Sequence, residues 1–227
     1  MHTKAAKSST PPILREELCW PSATSRDWVT SFAERVCVHP NTRALLFIGS
    51  IARRMKQCTD VDLLYVYVGQ PLSVADHPLD VDIRQYSANV VAERIADSQD
   101  VLSWAIRFGQ VICERDSYWT TLARTWSKHL SLPNPDVAEE RASRAARVYE
   151  QLLEMGDNDA ALEQQITVLT HLAWARLLRA GVHPASRPEL PEQLRAVGDA
   201  ELATELNRIL RTRANELHES AIEHAKH

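Results

Sequence analysis

A segment with two prolines, Ser131-Leu132-Pro133-Asn134-Pro135-Asp136, separates two parts of the chain that have different hydrophobic patterns. Proline cannot donate the backbone hydrogen bond that a continuing helix needs, whereas Asp136 can cap a helix that follows. Before this segment, apolar runs of strand length alternate with helical patterns, and after it the apolar spacing is helical throughout. The sequence therefore predicts an α+β fold in two domains: a small mixed-sheet core with flanking helices over 21–132, and an all-α helical bundle over 136–227.

The first part begins with a helix whose predicted start is Thr24 or Ser25, and whose buried face carries Trp28, Phe32 and Val36. Periodicity then predicts strands at 43–49, 61–68 and 79–86, a short strand near 110–114, and helices at 87–96, 100–108 and 116–129.

The second part contains four predicted helices, near 136–155, 159–180, 189–197 and 199–224. Glycines at 156, 181 and 198 stand where a residue that ends a helix is expected. Apolar stripes along these segments indicate that the helices pack as a bundle.

A pair of aspartates in the first part carries the clearest chemical signal. Asp60 and Asp62 follow Gly49-Ser50 after ten residues, and side chains two apart on a strand point to the same face. Two adjacent carboxylates need a cation, and oxygen ligands at a strand end suit Mg2+ in a site that also receives substrate phosphates. Gly49 allows close backbone approach after a buried strand, and Ser50 opens a short helix, so this turn is a predicted seat for phosphate oxygens.

A third carboxylate is expected on a neighbouring strand, within Leu79-Asp80-Val81-Asp82-Ile83. Asp80 and Asp82 share one face by the same alternation. We favour Asp82 because it lies deeper in the apolar run, and Asp80 is the alternative. Such a residue would help to hold the metal or take the proton from an attacking hydroxyl.

The order of these elements resembles that of the DNA polymerase beta-like nucleotidyltransferases. In that superfamily an apolar strand leads to Gly-Ser, a spacer of about ten residues, Asp-x-Asp and a later third carboxylate. Here the pattern is Ile48-Gly49-Ser50, then Asp60-Val61-Asp62, then Asp82. The resemblance covers roughly residues 25 to 115 and includes the segment 106–114, which is similar to the helix, glycine and short strand that close small members. A lone Asp-x-Asp is common by chance, whereas the ordered set is fairly specific.

The resemblance implies transfer of a nucleoside monophosphate from a nucleoside triphosphate to an acceptor, with pyrophosphate leaving and two Mg2+ ions assisting. Asp60, Asp62 and Asp82 would be the catalytic and metal-binding residues. Gly49 and Ser50 would bind the co-substrate, which we expect to be ATP. Arg53, whose role the family pattern does not fix, is also expected to bind it by neutralising phosphate charge. Such chemistry depends on positioning and charge neutralisation.

A sheet core followed by a helical bundle is also similar to the antibiotic-modifying members of the superfamily, in which the bundle helps to form the acceptor pocket. This likeness favours a small hydroxylated acceptor such as an aminoglycoside. Residues 134–227 carry more acidic than basic side chains, and acids at 150, 154, 157, 159 and 163 could contact a cationic acceptor, although charged helix faces are usually just solvated.

Two alternatives stay open at this level. One is a toxin-antitoxin component that modifies a protein or RNA. For this, the spacing of Arg176 and His183 resembles only weakly an Arg-x6-His motif of helical ribonuclease toxins, and His183 is predicted to lie in a loop. The other is a nucleotide-binding module without catalysis. A homodimer is compatible with the sequence.

The start of the chain and its cysteines predict a cytoplasmic protein without a membrane segment. Residues 1–20 are predicted to be a flexible tail, because the first twelve are polar, small and without the apolar run of a signal peptide. The four cysteines have no metal-binding spacing and are expected to be reduced thiols.

Overall fold

The structure is a computed structural model that describes residue 14 and residues 18–56, 58–98 and 100–224; for residue 100 and residues 216–224 it describes the backbone alone. The predicted flexible tail lies mostly outside the described residues. The chain forms two compact units that meet in sequence at Ser131 and Leu132. None of the described helices combines the length and the apolar character needed to cross a membrane.

The first unit contains a sheet of four strands and five helices among its described residues. In chain order these are α1 (Ala23–Val38), β1 (Thr42–Ile48), α2 (Gly49–Ala52), β2 (Val61–Tyr67), β3 (Val81–Ser87), α3 (Ala88–Ala96), α4 (Asp100–Phe108), β4 (Gln110–Glu114) and α5 (Tyr118–Trp126). The predicted α+β class with a mixed sheet is confirmed.

The sheet has the strand order β3-β2-β1-β4. The strand β1 pairs antiparallel with both β2 and β4, and β2 pairs parallel with β3. Because β1 and β2 run in opposite directions, the end of β1 lies beside the start of β2. The parallel pairing brings the start of β3 to the same rim of the sheet.

Both faces of the sheet are covered. On one face, α1 contributes Phe32 and Val36 to a core with alternate strand residues such as Phe47, Leu63 and Tyr65. On the other face, the intervening strand residues pack with side chains of α3, α4 and α5, among them Leu46, Leu64, Val91, Leu102 and Trp119. Full burial of a large apolar side chain contributes about 1.5–3 kcal/mol to folding, so these layers fix the register of the strands.

The helix α1 begins slightly earlier than the sequence predicts. Ser22 is its N-cap, and the Ser22 hydroxyl accepts the backbone N–H of Ser25 at 3.0 Å. Thr24 and Ser25 are both good capping residue types, and it is the side-chain geometry that selects Ser22.

The prediction that all four cysteines are reduced is wrong for two of them. Cys37 near the end of α1 and Cys113 in β4 form a disulfide, with their Cα atoms 5.8 Å apart. They are separated by 76 positions in sequence, and the packing of α1 on the sheet brings them together, which cysteine spacing does not reveal. Cys19 and Cys58 are free thiols. Disulfides persist mainly in oxidising surroundings, so the cysteines do not support the predicted reducing compartment.

The second unit is helical. Its helices are α6 (Pro135–Met155), α7 (Asn158–Arg179), α8 (Leu190–Ala196) and α9 (Ala200–His224), with a short 3-10 turn at Arg187–Glu189. An apolar core from α7, α8 and α9 includes Ile166, Leu177, Leu194 and Leu206. Arg179 near the end of α7 donates hydrogen bonds to both Glu139 and Asp136 of α6, so the two long helices are also joined by an ionic contact.

Candidate functional site

The predicted aspartate pair lies at the start of β2. Asp60 immediately precedes the strand and is exposed, Val61 is fully buried, and Asp62 is half-buried. Val61 joins the core on the α1 face. Leu64 and Val66 lie two and four positions after Asp62, so they share its face of the strand, and they join the core on the opposite face of the sheet. The side chain of Asp62 therefore belongs to the face that α3, α4 and α5 cover further along the sheet.

Gly49 is in direct contact with the Asp62 carboxylate. Ile48 of β1 pairs with Asp62 of β2, so the next residue of the chain turns past that carboxylate. A Cβ placed on Gly49 would lie 2.2 Å from Oδ2 of Asp62, and the φ angle of Gly49 is +68°. Any other residue would be strained in this left-handed conformation and would displace the carboxylate. The two sequence motifs are thus parts of one contact.

Ser50 lies in the four-residue helix α2 that follows. Its hydroxyl oxygen is screened from solvent and has no hydrogen bond of acceptable geometry among the described residues, although the Cys58 thiol lies beside it. The first backbone N–H groups of a helix have no acceptor within that helix. The turn therefore offers hydrogen-bond donors near the Asp62 carboxylate.

Cys58, two residues before Asp60, is held as a neutral thiol. Burial, reinforced by the neighbouring Cys19 thiol, raises the pKa of Cys58 to about 12. A protonated thiol is a poor nucleophile at neutral pH.

Asp82 lies directly beside Asp62 on the neighbouring strand. The parallel pairing of β2 and β3 sets Asp62 opposite Asp82, and Val61 opposite Val81. Residues in register on neighbouring strands share a face of the sheet. The Asp82 carboxylate forms an ion pair with Arg84, with 2.6 Å between Oδ2 and Nη2.

Asp80, the alternative third carboxylate, is engaged elsewhere. The hydroxyl of Ser25 donates to its Oδ2 at 2.6 Å, and the hydroxyl of Ser22 donates to the same oxygen at 3.3 Å. The carboxylate is therefore bound at the beginning of α1. Strand alternation alone does not distinguish Asp80 from Asp82. In the structure, Asp82 is the register partner of Asp62.

The three aspartates do not form a tight cluster as they stand. Within the described ranges, no group of three His, Cys, Asp or Glu side chains is arranged to hold a metal ion. The donor set nevertheless suits Mg2+ chemically, because Asp62 and Asp82 are register partners and Asp60 precedes them on the same rim. A metal ion bound at Asp82 would lie near the Arg84 guanidinium.

Arg53 ends α2 and projects near α4. Its guanidinium carbon lies 4.8 Å from the centre of the Phe108 ring, a cation–π contact. The end of α2 is also fixed by Gln110, whose Nε2 donates to the carbonyl of Ala52 at 2.5 Å. Phe108 and Gln110 were not predicted as supports of α2, although both lie in the segment 106–114 that carries part of the family resemblance.

Two of the five acids considered for acceptor binding in the second unit, Asp157 and Glu163, have structural contacts. The Asp157 side chain caps α7 by accepting the N–H of Ala160 at 3.1 Å, and Glu163 forms an ion pair with Arg213. Arg176 pairs with Asp199 at 3.1 Å. His183 is buried and lies beyond the end of α7, as predicted for a loop histidine.

Comparison with known proteins leaves the family open. The chain matches no protein-family model, and no curated protein is similar to it. Among solved structures, the chain is similar to a nucleotidyltransferase-like protein from Exiguobacterium sibiricum 255-15, with 19% sequence identity and a TM-score of 0.37, over 84% of this chain and 74% of that one. A TM-score of 0.37 is too low for function to be inferred from this likeness. We therefore infer function from the site residues.

Proposed function

We propose that the chain is a metal-dependent nucleotidyltransferase that moves a nucleoside monophosphate from a nucleoside triphosphate to a hydroxyl acceptor. The observation that carries this proposal is the contact of the Asp62 carboxylate with Gly49 on one side and its register pairing with Asp82 on the other. A phosphate-binding turn and a pair of carboxylates at the same rim are what such a reaction requires.

Asp60, Asp62 and Asp82 are the proposed ligands of Mg2+. When bound, Mg2+ neutralises charge on the triphosphate and on the leaving pyrophosphate. The carboxylates supply hard oxygen donors. Asp62 and Asp82 lie on adjacent strands of a packed sheet, which keeps their backbone fixed, and Asp60 immediately precedes β2. Asp82 is also the proposed group that takes the proton of the attacking hydroxyl.

Gly49, Ser50 and Arg53 are the proposed triphosphate-binding residues. Gly49 permits close backbone approach, the Ser50 hydroxyl donates to a phosphate oxygen, and Arg53 contributes positive charge from the end of α2. The contact with Phe108 restricts the guanidinium, so less side-chain entropy is lost when a phosphate binds.

The proposed nucleotide is ATP, and the proposed acceptor is a small hydroxylated molecule such as an aminoglycoside. The acidic balance of residues 134–227 supports a cationic small molecule over RNA, because a polyanion binds to basic surfaces. A protein or RNA acceptor is an outcome that the following test can identify.

The test incubates the pure protein with Mg2+ and ATP against separate pools of aminoglycosides, transfer RNA and lysate proteins, and searches each pool by mass spectrometry for an added nucleotide. An adduct in the aminoglycoside pool supports the whole proposal, and an adduct in another pool corrects the acceptor. If Mg-ATP binds and no pool is modified, the chain binds the nucleotide without transferring it to any of these acceptors. If Mg-ATP does not bind, the proposed site is wrong.

The assignment of the third carboxylate has its own test with a matched pair of variants. Asp82→Asn should abolish transfer, whereas Asp80→Asn should retain it, because an asparagine oxygen can still accept from Ser25. The reverse result would assign the role to Asp80.

A further inference from the structure

Asp80 joins the start of α1 to the start of β2 through two different groups. Its carboxylate accepts from Ser25 at 2.6 Å and from Ser22 at 3.3 Å, while its backbone carbonyl accepts the N–H of Val61 at 2.8 Å. Val61 is the residue between the two proposed metal-binding aspartates. One residue therefore contacts both the helix start and the backbone next to Asp60.

The helix end of this network is built to hold a carboxylate. The Ser22 and Ser25 hydroxyls lie 2.6 Å apart, Ser25 is fully buried, and the Ser22 hydroxyl also caps the helix. The first turn of α1 contains no acidic residue of its own. Negative charge is favourable at a helix N-terminus, so Asp80 supplies from a distant part of the chain the charge that the first turn lacks.

The strand end of the network controls where β2 begins. The N–H of Val61, which belongs to the first register pair of β2 and β3, donates to the Asp80 carbonyl, so this bond fixes the peptide that links Asp60 to Val61. Val61 is anchored by full burial of its side chain. Asp60 itself is exposed and lies outside the strand, and this bond is one contact that orients the peptide joining it to β2.

We infer that Asp80 is a positioning residue that holds Asp60 beside Asp62, through the serine hydroxyls of α1 and the backbone of Val61. This inference rests on the proposed function, in which Asp60 binds a metal. Groups that orient metal ligands without touching the metal typically contribute about 10–100-fold in metal affinity. Asp80 therefore belongs to the site although its carboxylate does not face Asp62.

The experiment measures Mn2+ binding to the full chain by electron paramagnetic resonance, using Mn2+ alone as the probe. Asp80→Ala removes the carboxylate and should weaken Mn2+ binding about tenfold. Asp80→Asn keeps an oxygen that accepts from Ser25 and should stay within about threefold of the wild type. Ser25→Ala leaves Asp80 in place and should also weaken Mn2+ binding. It replaces Asp80→Ala in the test if Asp80→Ala does not fold.

The matched control is Asp157→Ala, which removes an aspartate that caps a helix in the second unit. It should leave Mn2+ affinity unchanged, whereas a loss there would mean that general destabilisation explains the result. Hydrogen exchange at the amide of Val61 adds a readout that is independent of metal, and it should accelerate in Asp80→Ala but not in Asp157→Ala.

The outcomes separate this inference from the proposed function. If the wild type binds Mn2+ and both Asp80→Ala and Ser25→Ala bind it equally well, Asp80 is not a positioning residue and the proposed function stands. If the wild type does not bind Mn2+, the proposed metal site fails, and the inference falls with it.

Discussion

The two units of the chain place their acidic side chains in different settings. In the helical unit, carboxylates are matched with arginines: Arg179 with Glu139 and Asp136, Arg176 with Asp199, Arg208 with Glu205, and Arg213 with Glu163. In the sheet unit, three aspartates are gathered along one rim, where Asp82 pairs with Arg84. Matched surface pairs contribute little to stability. At the sheet rim, Asp62 and Asp82 lie in register at the start of two strands, and a left-handed glycine lies beside Asp62, so this rim is the better candidate for a functional site.

The largest expected effect comes from removing charge at the sheet rim. Asp60→Asn and Asp62→Asn should each abolish nucleotidyl transfer, a loss of more than about a hundredfold, since even residues that only support metal ligands contribute about 10–100-fold. Circular dichroism should show a wild-type helix signal in both variants. Transfer retained in both variants would contradict the assignment of these aspartates.

A glycine comparison tests whether the contact between Gly49 and Asp62 matters beyond backbone strain. Gly49→Ala and Gly156→Ala both place alanine in a left-handed conformation, which costs about 1–2 kcal/mol in each case. An added Cβ lies 2.2 Å from Asp62 Oδ2 at the first position and meets nothing within 4 Å at the second. Urea unfolding should therefore show destabilisation in both variants, and Mg-ATP binding should be lost in Gly49→Ala alone. Equal Mg-ATP binding by the two variants would show that the contact between Gly49 and Asp62 is not needed for nucleotide binding.

Reduction of the disulfide should affect the sheet unit. Breaking the Cys37–Cys113 bond frees a loop spanning 76 positions and is expected to lower the free energy of unfolding by about 2–4 kcal/mol. Five of the six tryptophans precede residue 132, so tryptophan fluorescence during urea unfolding mainly reports this unit. Cys37→Ala/Cys113→Ala should reproduce the effect of the reductant, and an unchanged midpoint in both experiments would show that the disulfide does not stabilise the unit.

The smallest expected effect is in the helical unit and depends on pH. The hydrogen bonds from Arg179 hold the pKa of Glu139 below its ordinary value. Because the folded state favours the ionised carboxylate, this contribution is present above the ordinary pKa and is lost as pH falls through the lowered one. The Tm of the wild type should slightly exceed that of Glu139→Gln at neutral pH, and the difference should vanish in acid. A Tm difference that persists in acid would show that Glu139 stabilises the fold through packing and not through its charge.

Local patterns predicted most of the elements, because caps and periodicity act over a few residues. Asn134 and Gly156 bound α6 within one residue of the predicted span, and the apolar alternation located β2. The closeness of Gly49 to Asp62 could also be predicted from the sequence, since consecutive strands usually lie side by side and the end of β1 would then lie near the start of β2.

Contacts between distant parts of the chain were not predictable in this way. Nothing near Asp80 indicates that Ser25 is its partner, because that contact depends on how α1 packs against the sheet. The same packing creates the Cys37–Cys113 disulfide. The contact between Arg53 and Phe108 likewise needs the three-dimensional arrangement of α2 and α4. Sequence identifies the chemical groups of the site, and packing decides which of them face one another.

The central claim is that the rim formed by Asp60, Asp62 and Asp82 binds a metal together with a triphosphate. Isothermal titration calorimetry of ATP binding, with and without Mg2+, tests it on the wild type and on Asp62→Asn. We expect Mg2+ to strengthen ATP binding to the wild type, and we expect Asp62→Asn to weaken ATP binding by at least about tenfold. Binding that is independent of Mg2+, or equal in the two proteins, would contradict the claim.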